Sequence, residues 1–169
     1  ERALSIAAAR RGATWWRVIV TAIACSAVAI GAGMVMTAAG LEARASNSGP
    51  IASLHASHPV ATFLLAVVLA PLYEELLFRR VLCGRLVDVG LPRIAIVASA
   101  VLFATSHELP GAGDGDWLGG LVIWFAYALI GGAFGALYVR TGTLAAPVVA
   151  HALHNAVAYA GLLASTGGN

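Results

Sequence analysis

The chain has 169 residues and is 60% hydrophobic but only 11% charged, with a formal net charge of +2. Soluble globular domains carry about 25% charged residues, so this composition excludes a soluble domain and predicts an integral membrane protein. The ten basic residues are all arginines spread along the chain, which excludes a nucleic-acid-binding patch. Cys25 and Cys83 lack CxxC spacing and are expected to be buried free thiols.

Five apolar stretches have about the length that a helix needs to cross a hydrocarbon core of roughly 30 Å. They cover residues 16–40, 59–80 or beyond, 92–107, 118–139 and 144–164. Polar, turn-rich segments separate them, and the longest of these contains Pro50 and Pro59. The pattern predicts an all-α, polytopic transmembrane helical bundle. We divide it into an N-terminal span with an outer loop, residues 1–58, and a core, residues 59–169.

The arginines are unevenly distributed between the two ends of the predicted spans. Nine of the ten precede or open the first span, lie between the second and third, or follow the fourth, whereas Arg44 alone lies at the other end. Cytoplasmic loops carry the excess of Lys and Arg, so the pattern predicts a cytoplasmic N-terminus and an outside C-terminus. The use of arginine without lysine suggests a bacterial cell membrane.

Three spans carry pairs of chemically distinctive residues four positions apart. The pairs are Glu75 with Arg79, Phe103 with His107, and His151 with Asn155. Residues four apart share one helix face. If the second helix continues to about Arg85, then Glu74, His107 and His151 lie at a common depth of roughly 13–21 Å from the cytoplasmic helix ends. Because a charged residue at a helix centre costs roughly 2.5–3.5 kcal/mol on insertion scales, these groups are candidates for function.

The adjacent glutamates, Glu74 and Glu75, are expected to have different roles. They lie about 100° apart around a helix, so they face different surroundings. Glu75 can form an ion pair with Arg79 on its own face. Glu74 is then free to contact water or substrate, which suits a general base.

Other interpretations of these groups stay open. A structural cluster would lock the bundle through interhelical hydrogen bonds, worth roughly 0.6 kcal/mol each. A proton relay or proton-coupled transporter would also use Glu and His inside a membrane, although no inverted repeat supports it. The outer-loop residues His55, His58, Glu108, Asp114 and Asp116 are interpreted as solvated.

Two features of the last two spans are interpreted as packing. Gly131 and Gly135 have the GxxxG spacing that allows close approach of helices, with homodimerisation as the weaker alternative. His154, three residues after His151, is expected to pack or to form a hydrogen bond rather than to join a metal site.

Three motifs carry a family resemblance. "EELLFRR" resembles the EExxxR motif of the CPBP family of intramembrane proteases, "FATSH" its FxxxH motif and "HALHN" its HxxxN motif. The family includes CAAX prenyl endopeptidases and bacteriocin-processing or self-immunity (Abi) proteins. The motifs occur in order on separate predicted spans, and the resemblance covers about residues 60–160. It implies a four-helix catalytic core, in which we expect a polar, cytoplasm-facing cavity.

The resemblance implies an intramembrane endopeptidase that uses glutamate-activated water. By position, Glu74 corresponds to the base and His107 to a residue that holds the water. Glu75 supports Glu74 and His107, and Arg79 orients the two carboxylates. His151 and Asn155 correspond to groups that stabilise the oxyanion. The substrate would be a membrane-associated peptide or protein.

Two alternatives accompany this resemblance. One adds a divalent metal such as zinc, held by Glu74, His107 and His151, although the chain has no HExxH motif. The other is a catalytically silent accessory or scaffold subunit of a larger membrane-protein complex. Partners under either alternative are the lipid bilayer and other membrane proteins, with no nucleic acid.

Overall fold

The computed structural model describes residues 12–111 and 115–166, which form six helices and contain no strand. They are α1 (Gly12–Ala38), α2 (Ser48–Ser57), α3 (Pro59–Asp88), α4 (Pro92–His107), α5 (Trp117–Thr141) and α6 (Ala145–Thr166). The predicted all-α bundle is confirmed. Asp114 and the arginines at positions 2, 10 and 11 lie outside the described residues.

Four of the described helices, α1, α3, α5 and α6, are long and apolar enough to cross a membrane. The fifth apolar helix, α4, corresponds to the predicted third span and has 16 residues. At about 1.5 Å per residue it extends about 24 Å, less than a hydrocarbon core of roughly 30 Å. The five predicted spans are therefore present as four full-length helices and one shorter helix that packs along α5.

Helix α3 continues past Arg79 to Asp88, as the depth comparison requires. It is not uniformly α-helical, because π-helical segments at Leu64–Leu69 and Leu76–Cys83 flank the α-helical segment Ala70–Glu75. Such wide turns are uncommon and are frequent at functional sites. Here they bracket the short α-helical segment that ends with the two glutamates.

Helix α1 is an integral part of the bundle. It packs against α5 and α6, and its residues Val18 and Cys25 are buried in the same apolar cluster as Phe103 and Phe134. Large apolar side chains remain exposed around the outside of the bundle, as lipid contact requires. The division into residues 1–58 and 59–169 stays a prediction.

The connection between α1 and α2 lies against the loop between α4 and α5. The Ser46 amide donates to Glu108 Oε2 at 3.1 Å, and its hydroxyl donates to the His107 carbonyl at 2.7 Å. The Glu42 amide donates to Asp116 Oδ2 at 2.8 Å. The expectation that Glu108 is solvated is therefore wrong, since this side chain is buried, whereas Asp116 is exposed.

Helix α2 forms within the segment that the sequence predicts to be a polar loop. Pro50 is in its first turn, where a backbone N–H would have no helical partner and proline is tolerated. His55, expected to be solvated, is half-buried, and its Nδ1 hydrogen-bonds to the Tyr159 hydroxyl on α6. His58 is exposed as expected.

Candidate active site

Glu75 and Arg79 form a fully buried ion pair within α3. Arg79 Nη1 lies 3.0 Å from Glu75 Oε1, and neither side chain has any exposed surface. The Nη1 contact lacks hydrogen-bond geometry, so the pair depends on charge attraction at this atom. Arg79 Nη2 also donates to the Gly131 carbonyl on α5 at 2.8 Å. The predicted ion pair is confirmed, and it anchors α3 to α5.

Three phenylalanine rings surround the Arg79 guanidinium. Its central carbon lies 4.9 Å from the ring centroid of Phe103, 5.5 Å from that of Phe134 and 5.8 Å from that of Phe78. Cation–π attraction is largest when the cation is desolvated, and it offsets part of the cost of burying this charge. We call Phe78, Phe103 and Phe134 the aromatic cage. Phe78 and Phe103 lie inside recognisable motifs, but no sequence signal points to Phe134.

His151 on α6 contacts both glutamates. Its Nδ1 lies 2.9 Å from Glu75 Oε1, and its Nε2 lies 3.7 Å from Glu74 Oε2. The buried ring stacks on Phe134 at 4.6 Å between centroids. His151 therefore links the ion pair to the second carboxylate.

His107, the last residue of α4, approaches Glu74 from another side. Its Nε2 lies 3.5 Å from Glu74 Oε2, while Nδ1 lies 2.9 Å from the Phe103 carbonyl one turn earlier. The ring lies between those of Phe103 and Tyr127, at centroid distances of 4.3 and 4.7 Å. Aromatic contacts and a backbone hydrogen bond thus fix the direction in which Nε2 points.

The hydrogen-bond partners of the two histidines define their tautomers. A carbonyl oxygen only accepts hydrogen bonds, so Nδ1 of His107 carries the hydrogen. The ion-paired Glu75 carboxylate likewise accepts from Nδ1 of His151. In the neutral imidazoles, both Nε2 atoms then present lone pairs to Glu74 Oε2.

Glu74 Oε2 is buried and has no hydrogen-bond partner among the described residues. The two Nε2 atoms are too distant for good hydrogen bonds to it, and as neutral acceptors they have no hydrogen to give. Three acceptor atoms therefore converge on one point. This arrangement favours a hydrogen donor, such as water, between them.

Asn155 satisfies a backbone carbonyl that α3 leaves without a helical donor. In the π-helical segment the Ala70 amide donates to Leu65 O rather than to Ala66 O. The next residue, Pro71, has no N–H to donate. Asn155 Nδ2 donates to Ala66 O at 2.8 Å instead. The second Nδ2 hydrogen of this amide remains for other acceptors.

The remaining polar residue of α6, His154, faces α1. It is buried, and its Nδ1 lies 3.4 Å from Ser26 Oγ. This agrees with the expectation that it packs or forms a hydrogen bond. On α5, Gly131 and Gly135 pack closely against Phe103 and Ile96 of α4, which confirms the close-packing interpretation of the GxxxG spacing.

A cavity of about 330 Å³ adjoins Glu74. Its polar lining includes Glu74, His107, Tyr127, His151, His154 and Asn155. The rest of its wall is mostly apolar and comes from all six helices and the connection between α1 and α2. The cavity lies toward the end of the bundle where α1 finishes and α2 crosses, which we call the α2 end. If the N-terminus is cytoplasmic this end is outside, so that topology and a cytoplasm-facing cavity cannot both hold.

The possible metal site was tested against the geometry. Glu74 Oε2, His107 Nε2 and His151 Nε2 have the donor chemistry that zinc accepts. In the described part of the chain, however, no group of three His, Cys, Asp or Glu side chains is arranged to hold a metal ion. These three side chains are therefore not preorganised as a metal centre in this structure.

The helical bundle and the buried Glu–Arg–His cluster define a helical membrane protein with a polar site in its interior. The family model for type II CAAX prenyl endopeptidase Rce1-like proteins matches residues 56–157, more than half of the chain. The chain belongs to this family of CAAX-type membrane proteases, as its three motifs indicate. Comparison with curated proteins and with solved structures found no match.

Proposed function

We propose that the protein is an intramembrane endopeptidase in which Glu74 activates a water molecule for attack on a peptide bond. The observation that carries the proposal is the convergence of Glu74 Oε2, His107 Nε2 and His151 Nε2 beside the cavity. A water molecule among these acceptors can donate both hydrogens, one of them to the carboxylate. Its oxygen lone pair is then free to attack.

The hydrolysis steps follow from these positions. The water oxygen bonds to the peptide carbonyl carbon while its proton passes to Glu74. The carbonyl oxygen becomes an oxyanion, to which the second Nδ2 hydrogen of Asn155 can donate. Glu74 then returns the proton to the leaving nitrogen as the carbon–nitrogen bond breaks. Arg79 and Glu75 touch no reacting atom in this scheme and act by orienting His151.

The proposed setting is a bacterial cell membrane, with the N-terminus cytoplasmic and the C-terminus outside. The substrate is a membrane-associated peptide or protein. Metal assistance through Glu74, His107 and His151 stays a prediction, tested by metal analysis of the purified protein.

The test is cleavage of substrates by the wild-type protein and by Glu74→Gln. Peptides that accumulate in cells with the active protein but not with Glu74→Gln identify the substrate, and cleavage is then measured with purified proteins. We expect Glu74→Gln to lower the rate by about 10²–10⁴-fold, the usual contribution of a general base. Helix content and membrane insertion should be unchanged, since Glu74 lacks a hydrogen-bond partner at Oε2.

Glu42→Gln is the matched control, because Glu42 is an exposed glutamate outside the cavity lining. It should cleave at the wild-type rate. Cleavage by folded Glu74→Gln at that rate would refute the assignment of the base. If Glu74→Gln instead preserved the cellular function and a stoichiometric complex with a membrane partner, the scaffold alternative would replace the peptidase.

A further inference from the structure

The cavity wall is built from one end of the bundle. It includes Met36 near the end of α1, Ser48 and Ile51 on α2, His107 at the end of α4, and Leu162 near the end of α6. No residue of the α3–α4 or α5–α6 connection contributes to this lining. The route from Glu74 toward water therefore leads to the α2 end.

The interior between Glu74 and the opposite end is filled by packed side chains, and Glu74 does not line the groove that lies between α3 and α4 on that side. Below Glu74 lie the fully buried Arg79 and its aromatic cage. Beyond them a second apolar cluster contains Cys83, Ala95, Tyr138 and Leu144, all buried. A peptide that entered from that end would have to displace both layers to reach Glu74.

The packed end is also the arginine-rich end. Arg17, Arg85, Arg93 and Arg140 are exposed near it, whereas Arg44 is the one arginine at the α2 end among those that the structure describes. An excess of arginine in short loops marks the cytoplasmic side. The charge distribution and the packing thus assign the two ends to opposite sides of the membrane.

We infer that the cavity opens on the extracytoplasmic side of the membrane and accepts a protein segment exposed on that side. The part concerning substrate rests on the proposed peptidase function, whereas the orientation of the cavity does not. The substrate class is a membrane-anchored protein with an extended segment next to its anchor on the outer face. Cytoplasmic protein tails, whether or not they carry a lipid, lie on the closed side of this bundle.

Cysteine labelling tests the orientation without any need for activity. Ser48→Cys places a thiol in the cavity lining, Ser57→Cys places one on the exposed face of the same helix, and Val89→Cys places one at the packed end. The natural cysteines, Cys25 and Cys83, are buried, so the otherwise unchanged protein serves as the unlabelled background.

A membrane-impermeant maleimide is applied to right-side-out and inside-out vesicles that contain the full-length protein. We expect Ser48→Cys and Ser57→Cys to react in right-side-out vesicles and Val89→Cys only in inside-out vesicles. The reverse pattern would overturn the inference. Reaction of Ser48→Cys from the side that labels Val89→Cys would also overturn it, because the cavity would then open through the packed end.

A second measurement tests the substrate class. Single-span reporter proteins display a randomised segment next to the membrane, either on the outer face or on the cytoplasmic face. Cleavage that requires Glu74 should be confined to the outer-face pool, and cleavage of the cytoplasmic pool alone would contradict the inference. If neither pool were cleaved while labelling followed expectation, the peptidase function would fail and the orientation would stand.

Discussion

Glu74 and Glu75 are neighbours in the chain, but their surroundings are opposite. Glu75 is fully buried, paired with Arg79 and hydrogen-bonded to His151. The Glu74 side chain is 20% exposed, borders the cavity, and has only distant histidine contacts of 3.5 and 3.7 Å. One residue of helix rotation therefore separates a carboxylate that is ion-paired and hydrogen-bonded at Oε1 from one that has no close partner at Oε2.

Under the proposed function, this difference separates a supporting side of the helix from a reactive side. The Glu75 side is buried, and its two opposite charges attract each other while the aromatic cage surrounds the guanidinium, which suits a rigid anchor. The Glu74 side leaves acceptor capacity unfilled next to a space for ligand, which suits chemistry. Disturbing the Glu75 side should mainly alter folding, and disturbing the Glu74 side should mainly alter rate.

The largest effect on stability is expected from Arg79→Met. Removing the cation leaves Glu75 as a buried, uncompensated charge, a change that typically costs about 3–5 kcal/mol. The free energy of unfolding can be measured by denaturant titration in detergent micelles. Arg80→Met, a substitution of the neighbouring arginine outside the buried pair, should change it by less than about 0.5 kcal/mol.

The double variant Glu75→Leu/Arg79→Met sharpens the same test. It removes both charges, so it should recover much of the stability lost in Arg79→Met. Its cleavage activity should remain low, because His151 has lost the carboxylate that orients it. No recovery of stability would show that the pair matters through shape rather than charge.

The two histidines should differ in the balance between rate and stability. His107 approaches Glu74, bonds to its own helix and packs on Tyr127, but it does not hold the buried Glu75, so His107→Gln should lower kcat by about 10²-fold with a smaller loss of stability than His151→Gln. His151 also holds the buried Glu75, so His151→Gln should add a loss of about 1–3 kcal/mol. His58→Gln, at an exposed position, is the control. Equal stability of the two variants would contradict the linking role of His151.

A smaller effect is expected from Gly131→Ala. An added Cβ would lie 3.0–3.1 Å from Phe103 side-chain atoms, at the residue whose carbonyl holds Arg79. Such overpacking typically costs about 1–3 kcal/mol, which thermal unfolding in micelles would detect. Gly132→Ala meets only Ala100 at 3.7 Å and should be neutral or stabilising. Equal effects of both changes would show that the glycine contact does not limit packing.

The sequence predicts the centre of the site well because helical spacing is a local property. The i,i+4 spacing predicted the ion pair of Glu75 with Arg79, and the 100° rotation per residue predicted that Glu74 faces elsewhere. The depth comparison predicted that Glu74, His107 and His151 lie close together. Each inference needs only the rise and rotation of a helix.

The parts that the sequence did not predict depend on contacts between distant helices or on departures from α geometry. The Ala66 carbonyl has no helical donor because a π-helical turn precedes Pro71, and it accepts a hydrogen bond from Asn155 instead. Residue spacing alone does not reveal such a turn. Its sequence position predicts that Glu108 is a surface acid, because the contact with the backbone of Ser46 comes from a distant part of the chain. The sequence around Phe134 does not predict its contact with Arg79, because the two residues lie on different helices.

The positions of the site residues on an early helix, α3, and on the last helix, α6, have a consequence for biogenesis. Helices enter the membrane in chain order, so Glu74 arrives before His151 and Asn155 have been synthesised. Glu75 and Arg79 share one helix and can neutralise each other at once, without waiting for a later partner. The arrangement around Glu74 forms only when α6 joins, because His151 and Asn155 lie on that helix.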